Sequence, residues 1–297
     1  MASTRQIQQR KKAVDSISRV TGTLEMISTA RYRSYSNLRH TIVDYHDALT
    51  TAATLLVTSR EPLNHPLLKE NKSGRNALFT LGSRKGLCGS YNERMLRLVK
   101  VHVAQAKAHN RELDIYTPGG RLDSILAFNG MEHVEIFEDL DEMPTTRQIE
   151  RIVNTFIAQY MAGQIDSLSI VYMRFFSASS QVAQTLTILP LPELIDDLMT
   201  RAKVIWPWDL AFEDFETSPE ADTLIEELVR MLMHYSIQSC FMDAALSEHF
   251  LRMVAMRNAT ESADDMIKQL TTEYNRARQT QITGELLDIV GGTEAMK

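Results

Sequence analysis

Over residues 222–290 the apolar positions fall on a ladder of helical steps. There is no proline in the stretch and its only glycine is Gly284. Apolar side chains recur at steps of about three and four through Leu228, Met231, Tyr235, Met242, Ala245, Met253, Met256, Ala263, Ile267, Leu270, Tyr274 and Ala277. At 1.5 Å rise per residue, a helix of roughly seventy residues is on the order of 100 Å long, too long for an ordinary packed helix. A seam that repeats every seven residues implies left-handed supercoiling around a second long helix. The N-terminus supplies one, with a ladder through Ile7, Val14, Ile17, Thr21, Leu24, Ser28, Arg31, Tyr35, Leu38, Ile42, Tyr45, Leu49, Ala52 and Leu56. Gly22 lies inside that ladder, and Thr21, Ser28 and Arg31 put polar groups on it. Two readings of these positions stand: a locally loosened helix, or a helix that slides or turns against a third surface.

Between the two ladders the pattern shortens. All 8 prolines fall between Pro62 and Pro219, and residues 76–82, 112–116, 133–137 and 168–176 read as short buried strands. Helical spacing over 91–110, 120–128 and 146–161 alternates with them, which predicts a mostly parallel sheet with helices on its faces. A further run, 181–189, follows the fourth strand closely enough to pair antiparallel at an edge, and Pro190 and Pro192 end it. Residues 199–219 are irregular and aromatic, with Trp206, Trp208, Phe212 and Phe215. Ser218 as N-cap and Pro219 at the first helical position then open the long helix. The expected division is an N-terminal helix over 1–58, a Rossmann-like α/β domain over 75–195, an irregular connection over 196–218 and a C-terminal helix over 219–297. The expected fold class is α/β, with a long antiparallel coiled coil.

Charge changes this picture at one end only. The chain carries a formal net charge of −6, yet up to residue 40 eight basic residues (Arg5, Arg10, Lys11, Lys12, Arg19, Arg31, Arg33, Arg39) face only Asp15 and Glu25, so 8 − 2 = +6. A basic helix of this kind is a solvated face, a nucleic-acid arm or a surface for acidic protein loops. Two cysteines, Cys88 and Cys240, make neither a disulfide framework nor a CxxC pair, and no run has the roughly eighteen apolar residues of a membrane span. Gly82-Ser83-Arg84-Lys85-Gly86-Leu87-Cys88-Gly89-Ser90 follows a strand and precedes a helix, but it has neither P-loop nor dinucleotide-loop spacing. Cys88 beside Arg84 and Lys85 has no motif-placed histidine base, which favours a packing role. Glu248-His249 lacks metalloprotease spacing, and no metal or cofactor is expected.

Several stretches together resemble the gamma subunit of F-type ATP synthases. The strongest is C-terminal: Ser247-Glu248-His249, Arg252-Met253-Val254-Ala255-Met256-Arg257-Asn258-Ala259-Thr260, Glu273-Tyr274-Asn275-Arg276-Ala277-Arg278-Gln279, Ile282-Thr283, and Glu285-Leu286-Leu287-Asp288-Ile289-Val290-Gly291-Gly292. Gly86-Leu87-Cys88-Gly89 with Tyr91-Asn92, and Ile7, Val20-Thr21, Met26 and Ala30-Arg31, extend the likeness along the chain. It departs at Thr21-Gly22-Thr23-Leu24-Glu25, where the family is often lysine-rich, at Arg31 in place of lysine, and at Arg84-Lys85 in place of Asp-Arg. These departures fit either a main or a diverged second copy.

The resemblance implies a non-catalytic rotor shaft that turns within a hexamer of alpha and beta subunits and couples it to an ion-driven membrane c-ring. By family correspondence Arg278, Gln279, Arg31, Arg33 and Leu24 contact the hexamer. Ile282, Leu286, Ile289 and Val290 form the bearing tip, and Phe215 and Glu216 meet the ring or the epsilon subunit. The implied setting is the cytoplasmic side of a bacterial inner membrane, peripheral, with no nucleic acid involved. Two other readings compete: an enzyme using the α/β domain, and a coiled-coil nucleic-acid protein using the +6 arm, which predicts steep salt dependence.

Overall fold

The computed structural model describes residues 4–57, 66–135, 137, 140–201 and 221–294. Two long helices, α1 (Thr4–Val57) and α6 (Ala221–Glu294), bracket five strands and four further helices, and the chain divides into two compact units, Met1–Ala30 with Arg252–Lys297, and Arg31–Leu251. The division therefore falls inside the long helices rather than at their ends.

In the first unit the two helices run antiparallel, since partners on α6 fall in number as those on α1 rise. The Thr4 hydroxyl donates to Gln281 Oε1 at 3.1 Å, Ser18 to Asp264 at 2.8 Å, Thr260 to Thr21 Oγ1 at 2.7 Å, and Arg257 Nε to Glu25 at 2.9 Å. On α6 the expected seam is observed: Met256, Ala263 and Leu270 are buried at steps of seven, with Ile267 half-buried between them and Tyr274 and Ala277 half-buried beyond.

On α1 the expected ladder holds at Ile7, Thr21 and Ser28, which are buried, and at Val14 and Leu24, which are half-buried. It is corrected at Ile17, 54% exposed, while Lys11, Ser18 and Glu25, four residues on from a ladder position, are half-buried instead. Hydrogen-bond partners decide the rotation. Thr21 Oγ1 donates back to its own helix, to Ile17 O at 3.0 Å or Ser18 O at 3.1 Å, and accepts from Thr260, so a buried hydroxyl is left with no unmet bond. Polar partners at Ser18 and Glu25 then draw that face toward α6. A Cβ at Gly22 meets nothing within 4 Å, so packing does not demand glycine there.

The second unit is built on a five-stranded sheet in the order β3-β2-β1-β4-β5. β1 (Arg75–Thr80), β2 (Glu112–Thr117), β3 (Val134–Glu135) and β4 (Ser167–Ser177) run parallel, and β5 (Ser180–Leu189) pairs antiparallel with β4. Successive side chains go to opposite faces. Leu78, Val171 and Met173 meet α2 (Tyr91–Ala108) and α3 (Arg121–Phe128) through Tyr91, Met95, Val99, Leu122 and Leu126. Phe79, Ile170 and Tyr172 face the other way, onto α4 (Thr146–Met161), α5 (Leu191–Arg201) and α6 through Ile149, Phe156, Leu194, Leu232 and Ile237. Both faces are covered, which is why the central strands β1 and β4 read as near-continuous apolar runs.

The structure revises the expected connection. Pro190 and Pro192 end β5 but also open α5, since proline is tolerated in a first helical turn, and α5 continues to Arg201, past residue 196. The rest of the expected connection, with Ser218 and Pro219, lies outside the described residues.

Asp166, just ahead of β4, holds the turn that leads into β1. Its carboxylate accepts from the Ser73 hydroxyl at 2.7 Å, from Ser73 N at 2.5 Å and from Gly74 N at 2.8 Å. Burial pushes this carboxyl up, but those three donors and the Arg111 charge outweigh it and hold it below the usual range. A depressed folded value stabilises above the unfolded value, near pH 4, and that stability is lost as pH falls through the folded one. Melting the wild type and Asp166→Asn across pH should therefore show a wild-type advantage at neutral pH that vanishes in acid. A gap that stays constant with pH would contradict this.

Candidate functional site

The strand order reverses between β1 and β4, the place where open parallel sheets bind ligands. Beside it, past the ends of β1 and β2, Leu81, Gly82, Arg84 and Pro118 face Phe241, Ala244, Ala245 and Glu248 of α6 across a cavity of about 30 Å³, room for water and not for a nucleotide. The glycine-rich loop satisfies itself: Asn92 Nδ2 donates to Ser83 Oγ at 2.7 Å, Ser83 N to Asn92 Oδ1 at 3.1 Å, and Ser83 Oγ to Lys85 O at 2.9 Å. Gly82 is required by packing, since a Cβ there would lie 2.2 Å from Leu122 Cβ. Cys88 is buried with its sulfur 3.4 Å from Ser83 Oγ, a packing role rather than an exposed nucleophile.

The chain instead presents surfaces. On α1, Ile17, Val20 and Ile27 are exposed with Leu24 half-buried between them, at steps of three and four. The sequence held this second stripe, but the ladder absorbed Ile17 and Leu24 into the seam. On α6, Arg278 and Gln279 are exposed, and Ile282, Leu286 and Ile289, at 43%, 58% and 64% exposure, form a stripe at steps of four and three. Val290 is helical, but its side chain lies outside the described residues, as do Phe215 and Glu216 entirely. Arg31 and Arg33, in the second unit, are exposed, so Arg31 is not a seam residue.

A polar cluster that the sequence did not flag lies close to Arg31. Glu142, in the segment before α4, accepts from His249 Nε2 of α6 at 2.5 Å and from the Tyr35 hydroxyl of α1 at 3.0 Å. Burial raises the Glu142 carboxyl, but the hydrogen bond and charge of His249, the Tyr35 hydroxyl and the Arg31 charge bring it below its ordinary value. Burial, then the charge and hydrogen bond of Glu142, push the Tyr35 phenol up to about 12. Among the described residues no group of three or more His, Cys, Asp or Glu is placed to hold a metal ion, and no helix is long and apolar enough to cross a membrane.

The comparisons with known proteins agree along the whole length. A family model described as ATP synthase matches residues 3–296. The ATP synthase gamma chain of Rhodopirellula baltica is 36% identical over 298 residues, covering 100% of both chains. That of Leptospira biflexa is 30% identical over 297 residues, again covering 100% of both. Among solved structures, a chain of the Euglena gracilis mitochondrial ATP synthase (OSCP/F1/c-ring) aligns with a TM-score of 0.62 at 17% identity, over 99% of this chain and 94% of that one. A chain of the Tetrahymena thermophila mitochondrial ATP synthase central stalk and c-ring aligns at 0.55 and 17% identity, over 81% and 99%. At such identity the structural likeness establishes the fold.

Proposed function

We propose that this chain, which belongs to the ATP synthase gamma-chain family, is the central shaft of an F-type ATP synthase, turning inside a hexamer of alpha and beta subunits. The observation that carries the reading is the end-to-end match to a gamma chain at 36% identity. The chemistry belongs to the beta subunits in this reading.

The candidate contact residues divide by the kind of contact they make. Ile282, Leu286, Ile289 and Val290, with Leu24 and its neighbours Ile17, Val20 and Ile27, form the apolar bearing. Burial of apolar surface is non-directional, so such a bearing holds the shaft without fixing its angle. Arg278, Gln279, Arg31 and Arg33 make the angle-dependent contacts, because charged and amide groups bond only in defined geometry. Phe215 and Glu216 belong to the foot that meets the c-ring and the epsilon subunit. The chain is then peripheral to the cytoplasmic face of a bacterial inner membrane and attached through the complex.

The test is to express alpha and beta subunits from the same source with and without this chain. Co-purification at high salt and a large gain in ATP turnover are expected. Failure to co-purify, or turnover unchanged by the chain, would sink the reading.

A further inference from the structure

We infer that Glu142 is a positioning residue that fastens the α/β domain to both long helices, beside the bonds of Arg39 to Asp243 and Phe175 O, and that load on the shaft passes through this carboxylate. The inference rests on the shaft reading and concerns only the second compact unit. Three observations carry it.

First, one side chain serves both helices: each oxygen of Glu142 takes one donor, Tyr35 from α1 on Oε2 and His249 from α6 on Oε1. Second, the segment bearing Glu142 is itself tied to the sheet. Leu140 is buried, its carbonyl accepts from the Arg84 guanidinium of the loop after β1, and its N–H donates to Phe137 O at 3.0 Å. A capping box closes the other side of the segment, where Thr145 and Gln148 bond each other at the start of α4. The path from sheet to helices therefore runs β1 loop, Leu140, Glu142, then Tyr35 and His249.

Third, the donors are enclosed by the protein. Tyr35 and His249 are 7% and 5% exposed, their rings 5.6 Å apart, and His249 Nδ1 is buried without a hydrogen bond. Beside them the rings of Tyr32, Phe175 and Phe250 pack mutually at 5.5–5.9 Å, joining α1, β4 and α6 by contact alone. Aromatic contact resists separation but yields to sliding. The charge-assisted bonds at Glu142 are directional and resist rotation of the domain about the helices.

A residue that only helps folding lowers assembly and activity together. A residue that bears load matters when the motor works against a force, because local opening competes with transmission there. The experiment therefore uses the full ATP synthase complex in sealed vesicles, comparing wild type, Glu142→Ala and Glu142→Gln. ATP hydrolysis is measured with the ion gradient collapsed by an ionophore, and the steady-state gradient is measured with it intact. Expected for Glu142→Ala is wild-type hydrolysis without load and a severalfold lower steady-state gradient, with Glu142→Gln, which keeps size and one acceptor oxygen, in between. A gradient unchanged in both variants, or hydrolysis and gradient falling in proportion, overturns the inference and leaves the shaft reading intact. A wild-type complex that assembles but never pumps overturns both. Should Glu142→Ala fail to assemble, Glu142→Gln carries the same comparison.

Discussion

Replacing Arg39 by methionine should destabilise the chain by about 3–5 kcal/mol, because it strands a buried carboxylate. Arg39 Nε donates to Asp243 Oδ1 at 3.0 Å, and its Nη2 donates to Phe175 O at 3.0 Å, so one guanidinium on α1 bonds to α6 and to β4. The Asp243 side chain is only 8% exposed. Burial raises its carboxyl above the ordinary value even though the charge and hydrogen bond of Arg39 pull it down. Removing Arg39 deletes the larger part of that counterweight and leaves the Arg174 charge and the Phe175 N–H. Because Asp243 is held high rather than low, protonation relieves the variant, so the penalty should shrink as pH falls and the carboxyl neutralises. Urea unfolding of wild type and Arg39→Met at several pH values reads both effects. The double variant Arg39→Met/Asp243→Leu should recover most of the loss, since a buried ion pair can be replaced by well-packed apolar groups at little net cost. A single-variant cost below about 1 kcal/mol, the value of an exposed pair, would show that Asp243 is hydrated.

The second large effect is expected at Phe156. Its ring lies on α4, fully buried, with centroids 6.0 Å from Phe79 of β1, 5.4 Å from Tyr116 of β2 and 6.5 Å from Phe137, and Phe79 in turn meets Phe241 of α6 at 6.2 Å. Phe156→Ala removes the member that three neighbours share. The cost should be about 3–5 kcal/mol, the usual range for a buried aromatic truncated to alanine. Phe156→Leu should restore a good part by refilling volume. The check is urea unfolding with near-ultraviolet dichroism, which reports the fixed aromatic environment. A small cost with unchanged dichroism would mean that the cluster closes over the cavity.

Periodicity made much of this fold legible. Strands 75–80 and 167–177 were found within a few residues because both faces of the sheet are covered there, which writes a near-continuous apolar run into the chain, while 112–117 and 180–189 were found from alternating apolar and polar residues. The α6 seam was legible for a related reason: Met256, Ala263 and Leu270 are apolar and buried at the same spacing. On α1 the ladder held at Ile7, Thr21 and Ser28, where a hydroxyl that bonds its own helix is buried at little cost, but it failed at Ile17 and Arg31, which stand exposed. α5 was missed because Pro190 and Pro192 were read as ends of a strand and not also as the opening of a helix.

The sequence by itself determined the two long helices, the parallel sheet between them and, through the run from Ser247 to Gly292, the family. Each is a property of near neighbours in the chain: a spacing, a turn signal, a string of residues. Only the tertiary structure decided that Ile17 and Arg31 leave the α1 seam, that Phe241 and Ala244 of α6 lie over the ends of β1 and β2, and that Glu142 lies between Tyr35 and His249. These depend on residues 107 positions apart meeting at hydrogen-bond distance. No local pattern records such a meeting, because the energy that selects it belongs to the packed chain and not to any one segment.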